Sequence, residues 1–202
     1  MKFQVVLLGI GHTNAHIVRQ WGLTPLAGAQ LTCVSLAAKS TYSGMLPGVL
    51  ARQYAPHDME IDLQRLCDTA GAELILDRAI GLDPQRRELR FASHAPLRYD
   101  ALVIGIGSEP AFRDVCFGDG APVVSLKPMQ TAVERLKERA AAWRVRGDAP
   151  YQLHVVVVGA GAGGVEIAFC LPRALARWGG SARSVTLVSG ADDVLPAARP
   201  GM

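Results

Sequence analysis

Val155-Val-Val-Val-Gly-Ala-Gly-Ala-Gly-Gly-Val-Glu166 is the stretch whose reading decides the fold. Four consecutive valines predict a parallel strand covered on both faces, because such strands read as continuous apolar runs. From Val165 to Trp178 the apolar residues Ile167, Leu171, Leu175 and Trp178 recur at helical spacing, which predicts a helix. Between the two lies a complete G-x-G-x-x-G turn made by Gly159, Gly161 and Gly164. Gly159 serves the tight turn, Gly161 lets backbone approach a pyrophosphate, and Gly164 lets helix and strand pack closely. The helix N-terminus then faces the phosphates. Small-residue strand-to-helix turns also produce this pattern without a ligand, but the motif's position between strand and helix favours dinucleotide binding. Pro172 conflicts locally with the helix, since an interior proline removes a hydrogen bond at a cost of ~3 kcal/mol; a kink or a break after Phe169 is expected.

Working outward, composition sets broad limits. A chain of 202 residues, 50% hydrophobic and 19% charged, can bury a sizeable core in one or two domains. A net charge of +3 is too small to argue for nucleic acid, and Arg86, Arg87 and Arg90 beside Glu88 read as a solvated face. The apolar run Phe3 to Ile10 is too short for a signal peptide and runs into a glycine turn, so it reads as a strand. No run of 18 apolar residues predicts a transmembrane helix. Cys33, Cys67, Cys116 and Cys170 show no metal-ligand spacing, which makes a reducing cytoplasm the default compartment and leaves peripheral membrane attachment open.

The N-terminus carries a second copy of the pattern. Gln4-Val-Val-Leu-Leu-Gly-Ile-Gly-His-Thr-Asn-Ala-His16 places Gly9 and Gly11 in the first two glycine positions and Asn14 in the third. A side chain there pushes the helix away from the strand, so this copy is degenerate. Ile17, Val18 and Trp21 form the apolar side of a short helix, and Leu31 to Leu36 the next strand. The acid that normally meets the ribose hydroxyls at that strand's end is replaced by Ser35, a weaker partner than a charge. In the later copy Ser184 to Ser189 is the strand and Ser189 takes the acid's place. With no acid to repel a 2′-phosphate, only weak discrimination between NADH and NADPH is expected. His12 and His16 flank the first turn and read as solvated or capping residues, with a catalytic role as the sharper alternative.

Between the two copies, Tyr99-Asp-Ala-Leu-Val-Ile-Gly-Ile-Gly-Ser-Glu-Pro110 resembles the strand ending in Ala-Thr-Gly of flavoproteins with two dinucleotide-binding units. Gly105 and Ile106 replace the usual alanine and threonine, and Gly107 remains. With both glycine turns, the chain resembles the amino-terminal part of the pyridine nucleotide-disulfide oxidoreductase family, in the branch of type II NADH dehydrogenases and sulfide:quinone reductases. Within it, Thr41-Tyr-Ser-Gly-Met-Leu-Pro-Gly48, Ile61-Asp-Leu63 and Lys127-Pro128 are most similar to flavoproteins found fused to or beside selenide, water dikinase.

The resemblance implies an α/β, Rossmann-like two-dinucleotide-binding flavoprotein fold whose second domain is incomplete. Residues 1–147 then form an FAD-binding domain that includes a connecting amphipathic helix over 129–146, with Met129, Val133, Leu136, Ala140 and Trp143 on its apolar face. Residues 148–202 begin an NAD(P)-binding domain, with Gly147-Asp-Ala-Pro150 as linker. FAD would be held through Gly9, Gly11, His12, Asn14, Ser35, Ser43, the backbone near Ala79, Gly105 and Gly107. NAD(P)H would be held through Gly159, Gly161 and Gly164, with Glu166 near the nicotinamide. Hydride would pass from NAD(P)H to flavin and electrons to a quinone or another small acceptor. No nucleic-acid partner is implied, and a homo-oligomer stays open. Because a doubly wound half needs a βαβαβ run, the stretch after Gly164 is expected to be a truncated start of that domain, with little turnover from this chain alone.

The loop after Ser35 lacks the redox cysteines some branches carry there. Ser43 falls about where a single catalytic cysteine would sit, and a hydroxyl does not cycle through sulfenate. Ser43 reads as a helix cap before Gly44 to Leu50, with a flavin contact as the alternative. Cys33 and Cys170 read as core, and Cys116 stays open. The rival from a different class is a non-catalytic nucleotide-binding module; a single-cofactor NAD dehydrogenase leaves the N-terminal unit unexplained.

Overall fold

A computed structural model of the chain describes residues 2–110, 116–118, 121–144 and 152–195. In order, its elements are β1 (Phe3–Leu8), α1 (His12–Leu23), β2 (Ala29–Ser35), β3 (Lys39–Thr41), α2 (Leu46–Leu50), β4 (Glu60–Asp62), α3 (Leu63–Ala70), β5 (Glu73–Leu76) and β6 (Ala79–Asp83). There follow β7 (Glu88–Phe91), β8 (Leu97–Arg98), β9 (Ala101–Ile104), α4 (Ala132–Arg144), β10 (Gln152–Val158), α5 (Ala162–Arg177) and β11 (Ser181–Val188). Cα packing divides them into two compact units, Met1–Tyr42 with Glu60–Ser108 and Ser43–Met59 with Glu109–Met202. The expected boundary at 147/148 and its linker lie outside the described residues.

The first unit is built on a parallel sheet of order β5-β2-β1-β9. Its central strands β1 and β2 are covered on both faces. Leu7, Leu31 and Cys33 are buried against Ala15 and Val18 of α1 and Leu63 and Cys67 of α3. On the other face, Val6, Val34 and Ile75 are buried against Leu89 and Phe91 of an antiparallel sheet of order β6-β7-β8. The arginines at 86 and 87 belong to that sheet's β6–β7 turn, where Arg87 has a positive φ of 52° and Arg86 lies 3.9 Å from Asp83. Helix α3 starts where Asp62 accepts the Arg65 amide at 2.9 Å and ends at left-handed Gly71. Both are ordinary devices for satisfying terminal backbone groups.

In the second unit, β10 and β11 pair in parallel and α5 packs beside them. Ile167, Leu171, Ala174 and Leu175 of α5 are buried with Leu46, Val49 and Leu50 of α2 and Val133 and Ala140 of α4, and Met129 and Leu136 pack against this cluster. The amphipathic face read from residue 129 onward is therefore the buried one, although Met129–Thr131 is a 3-10 turn and the regular helix begins at Ala132.

Three expectations need correction. Of the kink or break expected near Phe169, the break does not occur: helix α5 runs through Pro172 to Arg177. Burying Ile167, Leu171 and Leu175, at ~1.5–3 kcal/mol each, outweighs the ~3 kcal/mol of one interior proline. Ser43 does not cap a helix: Ser43–Met45 form a 3-10 turn and α2 starts after Met45, which offers no side-chain cap. Among the described residues the valine run is covered on one face only, with Val157 buried while Val156 and Val158 are 58% and 78% exposed. No described helix is long and apolar enough to cross a membrane.

The layered core predicts a contrast between two leucines. Leu63 is fully buried between α3 and the sheet, so Leu63→Ala should cost ~2–5 kcal/mol in denaturant unfolding. Leu36→Ala, at a residue 73% exposed, should stay within ~0.5 kcal/mol. Equal effects would contradict the layer assignment.

Candidate nucleotide-binding turns

Both glycine turns are formed by the same backbone bonds. In the first unit the Gly9 amide donates to the Val34 carbonyl at 2.8 Å, tying the end of β1 to the end of β2. In the second the Gly159 amide donates to the Val188 carbonyl at 2.9 Å, tying β10 to β11. Each first glycine has a positive φ, +80° at Gly9 and +108° at Gly159, which L side chains rarely adopt. Each second glycine is the N-cap of its helix and accepts the first helical bond, Ala15 to Gly11 at 2.9 Å and Val165 to Gly161 at 3.1 Å. The amides ahead of those bonds have no partner within the helix, so both N-termini present free donors and positive dipole ends.

The second glycine of each turn has open space where a side chain would stand. A Cβ added at Gly11 meets only the Gly105 carbonyl oxygen, at 3.7 Å, and one added at Gly161 meets nothing within 4 Å. Backbone approach is therefore open at both second glycines, next to helix N-termini of the kind that bind anions.

The third positions differ. A Cβ on Gly164 would collide with the Gly159 carbonyl oxygen, so α5 lies as close to its turn as glycine permits. In the first unit Asn14 is 1% exposed, and its Nδ2 donates to the Gly9 carbonyl at 2.7 Å. The asparagine side chain stands between helix and turn. Its Oδ1 is buried with no protein partner.

The serines in the acid's place also behave alike. Ser35 Oγ donates to the Ala37 carbonyl at 2.9 Å, and Ser189 Oγ donates to the Asp193 carbonyl at 3.1 Å while accepting the Ala191 amide at 3.1 Å. Each hydroxyl spends its proton on the loop after its strand and keeps acceptor capacity for a further partner. Beyond Ser189 the chain turns back, and the Leu195 amide donates to the Ala160 carbonyl at 2.9 Å.

Of the other residues singled out by sequence, His12 opens α1 and its ring stacks on Tyr42 at 4.6 Å between centroids and 20° between planes. Spacing alone did not reveal Tyr42 as its partner. Ala79 begins β6 and packs against the Val6 layer, and Gly105 follows β9 with its amide donating to Leu8 at 2.7 Å. Gly107 has φ +80° and open space at its Cβ position. In the second unit Ser43 and Glu166 are exposed. His16 is exposed, His57 lies 3.5 Å from Asp58, and His154 meets the Ser184 hydroxyl at 2.9 Å.

Two clusters invisible to the sequence reading surround the first turn's scaffold. Asp77, just after β5, accepts the Ser93, His94 and Arg78 amides at 2.9, 2.6 and 2.7 Å, with the Ser93 bond foremost in holding its carboxyl below the usual range. It is a brace between sheets, and a groove of about 340 Å³ beside it contains no residue of either glycine turn. Cys33 and Cys67 are both fully buried and meet between β2 and α3; the hydrogen bond to Cys67, then burial, pushes the Cys33 thiol up. Burial, then the Glu166 carboxylate, raises the thiol of Cys170. Cys116 is exposed. Among the described residues no group of three potential ligands is placed to hold a metal.

Adjacent glycines in α5 predict opposite outcomes. Gly164→Ala should cost ~1–3 kcal/mol, because its methyl must displace the Gly159 carbonyl. Gly163→Ala has open space and should be neutral or stabilising by up to ~1 kcal/mol. Denaturant unfolding of both variants checks this, and a harmless Gly164→Ala would contradict the close approach.

No curated protein matches the chain significantly. Solved structures share its fold. NDH2 from Plasmodium falciparum in complex with NADH has a TM-score of 0.77 at 15% identity, covering 99% of this chain and 44% of that one. A NAD-dependent persulfide reductase from A. fulgidus has a TM-score of 0.69 at 21% identity, covering 96% and 35%. The sulfide:quinone oxidoreductase from Aquifex aeolicus has a TM-score of 0.63 at 19% identity, covering 93% and 43%. The chain thus spans less than half the length of these proteins. Two like glycine turns on parallel strands, the shared fold, and a match over residues 3–202 to one family's profile converge: the chain belongs to the pyridine nucleotide-disulphide oxidoreductase family.

Proposed function

We propose that the chain supplies the nucleotide-binding turns of an NAD(P)H-dependent flavoprotein oxidoreductase, with FAD at the Gly9 turn and NAD(P)H at the Gly159 turn. The observation that carries this reading is the repetition of one hydrogen-bonded turn in two units of a single family member, each with an open second glycine. The family and its structural neighbours support the cofactor classes. When bound, FAD supplies the hydride acceptor and the electron store.

The residues of the chain bind and orient. Gly9 and Gly11 admit the pyrophosphate to the amides at the start of α1, and Gly159 and Gly161 do the same at α5. Ser35 and Ser189 offer hydroxyl oxygens to ribose without a charge, so the second unit has no carboxylate at that position to reject a 2′-phosphate. Glu166 is assigned to the nicotinamide side of the second unit. No cysteine pair is assigned to the hydride path: the loop after Ser35 holds Ser43 and no thiol, and Cys33 and Cys67 are buried in the core of the first unit. The electron acceptor is assigned to the small-molecule class that includes quinones, with support from the sulfide:quinone oxidoreductase among the neighbours.

Gly11→Val tests the assignment of FAD. A branched side chain at the open second glycine should weaken FAD binding at least tenfold, about 1.4 kcal/mol, measured by flavin fluorescence titration. Wild-type affinity in a folded variant would contradict it.

A further inference from the structure

Two of the places where the first unit departs from the patterns set out above, Asn14 and Gly105, lie against each other. Asn14 stands where the third glycine belongs, and Gly105 where the strand after the glycine turn usually ends in alanine. A Cβ built on Gly105 would lie 2.6 Å from Asn14 Nδ2, 3.0 Å from its Cγ and 3.1 Å from the Gly9 carbonyl oxygen. The first of these is closer than real Cβ contacts come. Asn14 has little freedom to yield: it is 1% exposed, and Nδ2 is committed to the Gly9 carbonyl at 2.7 Å. The backbone is equally confined, since a Cβ on Gly9 would lie 2.6 Å from the Gly105 carbonyl oxygen and the Gly105 amide is bound to Leu8 at 2.7 Å.

We propose that Asn14 and Gly105 are an exchanged pair, and that Asn14 is a positioning residue for the cofactor at the Gly9 turn. Set against those patterns, the glycine stands at the strand end and the side chain on the helix. What the second unit achieves by pressing α5 directly onto the Gly159 carbonyl, the first achieves with an amide donor inserted between α1 and the Gly9 carbonyl. The Asn14 amide thereby holds the turn against the end of β9 and fixes the direction in which the α1 amides point. This rests on the reading of the Gly9 turn as the FAD site.

Three variants and two readouts test it: Gly105→Ala, Asn14→Gly, and the two combined. The readouts are FAD affinity by fluorescence titration and the unfolding midpoint without FAD. Gly105→Ala should weaken FAD binding at least tenfold, because its methyl displaces the Asn14 amide. Asn14→Gly alone loses the donor to the Gly9 carbonyl and should weaken FAD binding, whereas in the combined variant it removes the obstacle to the new methyl, so that variant should bind FAD more tightly than Gly105→Ala. A rescue of this kind is not expected from independent sites, whose losses add. If Gly105→Ala proves insoluble, recovery of a folded, FAD-binding protein in the combined variant is the same rescue. Gly105→Ala that binds FAD like wild type, or a combined variant no better than Gly105→Ala, would overturn the proposal. Should the wild-type chain bind no FAD, the reading of the Gly9 turn fails separately, and the unfolding midpoints still decide the exchange: rescue supports the pair and additive loss overturns it.

Discussion

Strand β1 is the constraint on which the first unit depends. It is hydrogen-bonded on both edges, to β2 and to β9, and is covered on both faces. A strand so enclosed has one direction of exit, and Gly9 provides it with a left-handed φ at the point where a side chain would strike the Gly105 carbonyl. From that exit follow the start of α1, the amides it leaves free and the site they define. The second unit repeats the exit at Gly159, with β10 paired to β11 among the described residues.

The parts of the fold legible in the sequence were those written in consecutive residues. The valine run, the glycine spacing and the apolar period of α5 all lie within 24 residues, and residues 4–16 repeat the strand and glycine turn, so both nucleotide-type turns and the α/β class were readable. The β6-β7-β8 sheet was not read, because strands such as Leu97–Arg98 are too short to show alternation and are fixed by packing on Val6 and Val34. Pro172 misled for a related reason: local propensity argued for a break, and burial of the helix's apolar face overrode it.

The candidate turns were legible in their backbone and not in their side-chain partners. Gly9, Gly11, Gly159 and Gly161 announce themselves by spacing, and the structure places each at the geometry that spacing implies. Nothing in the sequence announces that Tyr42 stacks on His12, that Cys33 meets Cys67, or that Asn14 occupies the space beside Gly105. Each contact joins segments that only the completed sheet brings together. The departure at Asn14, which by itself marks the first copy as degenerate, becomes intelligible once its amide is seen bound to the Gly9 carbonyl.

The central claim is that one chain carries two separate dinucleotide sites with different cofactors. Its most direct test is equilibrium titration of the FAD-saturated protein with NADH under anaerobic conditions. The account predicts saturable NADH binding with one NADH per chain while one FAD per chain remains bound. Displacement of FAD by NADH, or saturation at a single nucleotide per chain in total, would contradict it.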